Sequence, residues 1–280
     1  MNISRRPIQV AVAAACAAAL VTPAAGSAAA PTADERIVGG QTAKEGVYPF
    51  ATRLQVAYGK DTVILCTGTL ISQDIVLTSQ QCLAERRGEG KPKSIVADIG
   101  RVDYTKAAEA GQRRTGVQYQ LGRGVGKGDW AVVKLGKALK LRDYPLLPAD
   151  EAFDRERSYR ALGWGKTANG RLPNLLQQVD LPRVAPKLCG DNSDVELCAG
   201  DLADGGVGFC GGDIGGPLLA ADEDWIQVGI ASHTESCGDK GDPQHFTRVS
   251  AFTHKIQAAI TLLDGTPASE IPADGGDDQR

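Results

Sequence analysis

Glycines crowd around one acid and one aliphatic in "GFCGGDIGGPLL" (Gly208 to Leu219), where the acid is Asp213 and the aliphatic Ile214. A turn this rich in glycine lets backbone pass close to backbone, and its usual use is to present a reactive side chain. Ile214 has no lone pair and no titratable proton. A second acid, Asp129, opens the apolar run "GDWAVVKL" (128–135), and an amide, Gln81, precedes Cys82 in "TSQQC" (78–82). Acyl transfer by a side chain needs a hydroxyl or thiol with a base to activate it. A glutamine amide offers no basic nitrogen at neutral pH. The only imidazoles are His233, His245 and His254. The turn therefore either has another purpose or has lost its chemistry.

The segments that must position these residues are short alternating runs between turn residues. They are "ATRLQVAY" (51–58), "TVILCTGTLIS" (62–72), "SIVADIG" (94–100), "WAVVKL" (130–135), "SYRALGW" (158–164), "LQQVDLPRV" (176–184), "WIQVGIAS" (225–232) and "HFTRVS" (245–250). Period-two alternation bounded by Gly, Pro and Asp predicts strands. An all-β sandwich or barrel follows. Val249, Phe252, Ile256, Ile260 and Leu263 recur at helical spacing, and Gly265 can stop that helix. The remainder, 264–280, is polar, acidic and rich in Pro and Gly, and is expected to be disordered. "GRGVGKGD" (122–129) imitates a phosphate loop but lacks the four-residue spacer and the hydroxyl after lysine. It reads as a connector, and no cofactor motif is present.

With 280 residues, 42% of them hydrophobic, the chain suits one large or two small globular domains. A net charge of −3 gives no footprint for nucleic acid, and the basic run 85–93 reads as a solvated loop. Residues 1–30 carry Arg5 and Arg6, a short apolar run and a stretch of small residues, the pattern of a signal peptide. "SRRPIQ" also resembles a twin-arginine signal, so the export route stays open. Cys16 suggests a lipoprotein, but no Leu sits three residues before it. No segment has the length to span a bilayer, so no membrane association is expected after signal removal. Six cysteines remain after the signal: Cys66, Cys82, Cys189, Cys198, Cys210 and Cys237. An even set in an exported chain implies disulfides. A zinc site is the rival reading, but no CxxC occurs, and no metal is expected.

"RIVGG" (36–40), "TLISQDIVLTSQQC" (69–82), "GDWAVVKL", "LGWG" (162–165), "LCAG" (197–200), "CGGDIGGPL" (210–218) and "GIAS" (229–232) follow one another in this order. Together they closely resemble the chymotrypsin/trypsin-like serine endopeptidases over Ile37 to about Ile260. The resemblance implies two antiparallel six-stranded β-barrels with a cleft between them and a C-terminal helix. It divides the chain into the signal (1–30), a short propeptide-like segment (31–36), the double barrel (37–263) and the tail (264–280). It also implies the pairings Cys66–Cys82, Cys189–Cys198 and Cys210–Cys237.

The family's triad is serine, histidine and aspartate. By the resemblance its aspartate is Asp129, while Gln81 stands at the histidine position and Ile214 at the serine position. The amides of Gly212 and Ile214 match the oxyanion-hole donors. Arg36-Ile37 matches the activation bond, whose freed amino group would pair with Asp213. The specificity pocket matches Gly208 at its base, with Ser232, Thr234 and Gln244 along its walls. Gly208 supplies no acid for a basic side chain, and Thr234 and Gln244 are larger than the glycines of an open pocket. His233 matches a cleft-wall position with no hydroxyl or thiol placed for it to activate. His245 and His254 are expected at the surface or on the helix. Gln81 is expected to turn its NH₂ toward Asp129.

This points to a secreted, monomeric, proteolytically inactive homologue that holds a protein or peptide ligand. The alternatives are a serine endopeptidase with an unorthodox active site and a purely structural extracellular protein.

Overall fold

The computed structural model describes residues 38–106, 112–167, 170–222 and 224–271. The signal peptide, the segment 31–36 and Ile37 lie outside the described residues. In chain order the strands begin with β1 (Gln41–Thr42), β2 (Ala51–Ala57), β3 (Val63–Ser72) and β4 (Ile75–Thr78). Next come β5 (Ser94–Ile99), β6 (Arg113–Leu121), β7 (Ala131–Leu135) and β8 (Leu147–Pro148). The second half holds β9 (Ser158–Gly163), β10 (Gln177–Pro182), β11 (Glu196–Ala199), β12 (Pro217–Ala221), β13 (Trp225–His233) and β14 (Gln244–Arg248). Helix α1 (Thr253–Leu262) and β15 (Glu270–Ile271) follow.

Strands β2-β3-β4-β7-β6-β5 close into an antiparallel barrel. Its interior is filled by Leu54, Val56, Leu70, Val76, Ala97, Ile99 and Val133. Such β-branched and aliphatic side chains pack well on a pleated, buried face. Closure leaves no edge open to other chains. The second half forms a sheet in the order β1-β10-β9-β12-β13-β14-β11. Beyond its β1 edge the sheet closes from β10 to β11, where Arg183 bridges Ala199, Val184 N donates to Cys198 O at 2.8 Å and Gly200 N to Pro182 O at 2.8 Å. Strands β9 to β14 thus form the second six-stranded barrel, with β1 added along β10. Tyr159, Leu181, Phe209, Leu218, Val228 and Phe246 fill it.

The periodic face of α1 buries Ile256 and Ile260 with Ile75, Leu77, Trp130 and Val132 of the first barrel. Three disulfides are present, Cys66–Cys82, Cys189–Cys198 and Cys210–Cys237. Each contributes about 2–4 kcal/mol by restricting the unfolded chain. Among the described residues no helix is long and apolar enough to cross a membrane.

The expected disordered tail is corrected for 264–271. Thr266 N donates to Asp74 Oδ1 at 2.9 Å, Gln257 Nε2 donates to Ala268 O at 2.7 Å, and β15 pairs in parallel with β8. A polar segment is ordered here because side chains of other elements satisfy its backbone, while Ala268 fills a gap in the core beneath α1. Residues 272–280 lie outside the described residues.

Candidate functional site

Asp129 precedes β7 and is fully buried. A buried carboxylate must be met by donors, and four converge on it. Ser79 Oγ lies 2.8 Å from both carboxylate oxygens. Gln81 N donates to Oδ1 at 3.1 Å, and Ser232 Oγ donates to Oδ2 at 2.7 Å. Gln81 Nε2 donates to Oδ2 at 2.6 Å, so the amide turns toward Asp129 as the sequence predicts. Its second hydrogen goes to Ser232 O at 2.7 Å. The amide thus ties the first barrel to β13 of the second. Ser79 caps the short 3₁₀ turn Gln80–Cys82 and at the same time reaches Asp129. Its part in this network was not read from the sequence, where a serine before a turn signals only a cap.

The glycine turn delivers Ile214 to the same place. Gly215 has a φ of 85°, and a Cβ there would stand 2.0 Å from Thr78 Oγ1 and 2.9 Å from Ser79 N. Only glycine permits that approach. Thr67 N donates to Ile214 O at 3.0 Å, and Cys82 Sγ lies 3.6 Å from the same oxygen. Ile214 is half-buried and packs against the cores of both barrels. The structure therefore brings Gln81, Asp129 and Ile214 to one junction. That junction holds an amide whose two hydrogens are both donated, a carboxylate met by four donors and a hydrocarbon.

Asp213 points the opposite way, into the second barrel. Gly165 N donates to Oδ1 at 2.6 Å and Cys210 N to Oδ2 at 2.9 Å. A Cβ on Gly165 would meet Oδ2 at 2.2 Å, so the glycine of "LGWG" makes room for the acid. Burial pushes the Asp213 carboxyl up to about 7 against the two backbone bonds that lower it. Its expected partner, the amino group of Ile37, lies outside the described residues. The next residue, Val38, bridges Gly208, whose N–H donates to Val38 O at 3.2 Å.

The residues expected to line a specificity pocket are knitted together. Gln244 is fully buried; its Oε1 accepts from Phe209 N at 2.8 Å. Its Nε2 donates to Thr234 Oγ1 at 2.7 Å and to Ser236 O at 3.2 Å. Thr234 Oγ1 in turn donates to Ser236 O. A Cβ at Gly208 would lie 2.7 Å from Gly238 Cα and 2.9 Å from Gln244 Oε1. The Gln244 side chain therefore lies directly over Gly208.

His233 follows Ser232 at the end of β13 and is half-buried. Its Nδ1 is 3.5 Å from Ser232 Oγ, but that hydroxyl is buried and committed to Asp129. Burial and then the neighbouring His245 lower the His233 pKa. His254 is exposed on α1. His245 departs from the expected surface position: it lies on β14, half-buried, with its ring stacked on His233 at 4.3 Å. Antiparallel pairing of β13 and β14 sets His233 opposite His245, which forces the stack.

A family model described as Trypsin matches residues 37–256. The chain is 34% identical over 247 residues to a "Trypsin-like protease" of Streptomyces glaucescens, covering 84% of this chain and 86% of that protein. It is 31% identical over 259 residues to "Glucanase inhibitor protein 2" of Phytophthora sojae, covering 87% of this chain and 86% of that one. Motif order, paired barrels and these similarities agree, and the chain belongs to the trypsin family.

Proposed function

We propose that this chain is a secreted, non-catalytic member of the trypsin family that acts by holding a protein or peptide ligand. The observation that carries the reading is the Gln81 amide, which spends both of its hydrogens on Asp129 and Ser232. Its nitrogen lone pair is delocalised into the carbonyl and its oxygen is not basic at neutral pH, so it cannot take a proton, and the Ile214 side chain has no atom to attack a carbonyl. In a protease of this chemistry on another fold, losing either serine or histidine costs roughly 10⁶ in turnover, and losing both costs little more. That is about 8 kcal/mol of barrier lowering at ~1.36 kcal/mol per decade. The Gly212 and Ile214 amides would remain as oxyanion donors, which alone sustain only a trace rate.

The chain is exported through its amino-terminal signal and works outside the cell as a monomer, without a cofactor. Three disulfides agree with an oxidising compartment. Cleavage at Arg36-Ile37 would free an ammonium to pair with buried Asp213, a charge-assisted bond that orders the glycine turn. A relative whose name describes inhibition of an enzyme supports binding as the retained activity.

The second reading, a serine endopeptidase with an unorthodox site, is favoured by the similarity to a trypsin-like protease. It requires an activated hydroxyl at the junction. The serine hydroxyls there, Ser79 and Ser232, are both buried and donate to Asp129, and Thr78 Oγ1 donates to Thr67 O.

Pull-down from culture supernatant with the purified chain tests the binding reading. A discrete protein or peptide retained in stoichiometric amount is expected. No retained ligand across supernatants of the producing organism would count against it.

A further inference from the structure

No metal-ligand spacing is visible along the chain, yet three strands bring three donors together. Glu196 lies on β11, His245 on β14 and His233 on β13, and β14 sits between the other two. Glu196 and Cys198 share one face of β11, being two residues apart. Cys198 is opposite His245, and His245 is opposite His233. His245 Nδ1 is 3.1 Å from Glu196 Oε2, and His233 Nδ1 is 3.7 Å from Glu196 Oε1. One donor atom from each residue lies within 4.8 Å of the other two. Cys198 Sγ is near but disulfide-bonded, so it offers no thiolate.

We propose that Glu196, His233 and His245 bind one divalent transition-metal ion of the zinc class. The independent sign is Glu196 itself. It is only 3% exposed, and its Oε1 is buried without a hydrogen-bond partner among the described residues. A His245–Glu196 hydrogen bond satisfies the other oxygen but leaves this one with only the His233 ring 3.7 Å away and no hydrogen bond, a cost for a buried carboxylate. A dication between the three donors satisfies it and turns both imidazole lone pairs to use. Tetrahedral zinc at 2.0–2.1 Å holds its ligands about 3.3 Å apart; the imidazoles lie 3.1 Å from Oε2 and 3.7 Å from Oε1 of Glu196, so ligation requires the two stacked rings to turn their in-plane lone pairs toward one point beside the carboxylate. Two imidazoles and one carboxylate favour zinc, cobalt, nickel or copper over magnesium or calcium. Three protein ligands leave a fourth position for water. His233, whose side chain is 34% exposed, borders that position. If the binding reading is right, a histidine or carboxylate of the docked ligand can fill it; the metal site itself does not depend on that reading.

The test uses the purified chain with its disulfides intact, stripped with chelator and titrated with Zn²⁺ by calorimetry and with Co²⁺ by visible absorption. One equivalent of Zn²⁺ and an intense tetrahedral Co²⁺ spectrum are expected, with no competition from excess Mg²⁺. Losing even an outer-shell partner of a metal costs about 10–100-fold in affinity, so His233→Ala should weaken Zn²⁺ at least tenfold. In the unsubstituted chain, NMR should show Zn²⁺ moving the ring signals of His233 and His245 and leaving His254 unmoved. Binding below one equivalent, unchanged affinity in His233→Ala, or ring shifts confined to His254 would overturn the proposal. Pull-down with and without chelator reports separately on ligand capture, so failure of one reading is distinguishable from failure of the other.

Discussion

Gln81 Nε2 and Asp129 Oδ2 stand 2.6 Å apart, an amide donating to a fully buried carboxylate. On the proposed reading, the contact keeps the geometric task of a triad histidine and discards its chemical one. Asp129 stays buried, saturated and useful as the post that joins the barrels. Replacing Gln81 by Leu removes one charge-assisted donor from a buried carboxylate and frees Ser232 O as well. A loss of about 1–3 kcal/mol is expected. Equilibrium denaturation should show a lower midpoint at unchanged slope.

Reverting Gln81→His together with Ile214→Ser restores the triad's residue types. Weak hydrolysis at most is expected, with little preference for arginine or lysine. Gln244 lies over Gly208, the base of the proposed pocket, and is held by Phe209 N, Thr234 and Ser236. Gly208 offers no counter-charge, and burying an unpaired cation costs several kcal/mol. A peptide-library assay of the double variant checks this. Adding Gln244→Gly should widen acceptance of long side chains and lower stability, because the Phe209 amide loses its acceptor.

Asp213 makes stability depend on pH. Burial raises its carboxyl to about 7 from an ordinary 3.8. Between those values the folded chain keeps a proton that the unfolded chain releases. Stability from this group is therefore greatest near pH 4, falls as pH rises to about 7, and is flat above it. The loss is on the order of a few kcal/mol. Cleavage at Arg36-Ile37 should reverse it, because a paired ammonium holds the carboxylate ionised. Denaturation midpoints from pH 4 to pH 8, for chains cut and uncut at that bond, check both halves.

Gly165→Ala would place a methyl 2.2 Å from Asp213 Oδ2. It should destabilise by at least about 3 kcal/mol or abolish folding, since neither backbone nor buried acid can yield. Gly211→Ala, two residues before Asp213, meets nothing within 4 Å and should stay within about 0.5 kcal/mol of the unsubstituted chain. Thermal melts of the pair separate close packing from a general intolerance of the turn.

Strands with dense alternation, such as β2, β3 and β13, were legible in the sequence because half their side chains must face a core. Strand β6 was not: its "RRTGVQYQL" is largely exposed and interrupted by Gly116, so no apolar period survives. Strands β11 and β12 are short and flank glycine turns that mask them. Gln81 and Ile214 could be found because Cys82 and the glycine turn frame them. Glu196, His233 and His245 could not. They are far apart along the chain, and only strand register makes them neighbours. The order of 264–271 was hidden for a similar reason, since Asp74 and Gln257 supply its hydrogen bonds from outside the segment.

The central claim is the absence of a working nucleophile. Its most direct test is active-site titration of the chain cut at Arg36-Ile37, using a fluorophosphonate label read by mass spectrometry and a peptide-ester assay beside it. The account predicts no labelled serine and no hydrolysis above background. Stoichiometric labelling of one hydroxyl, with turnover that the label abolishes, would contradict it.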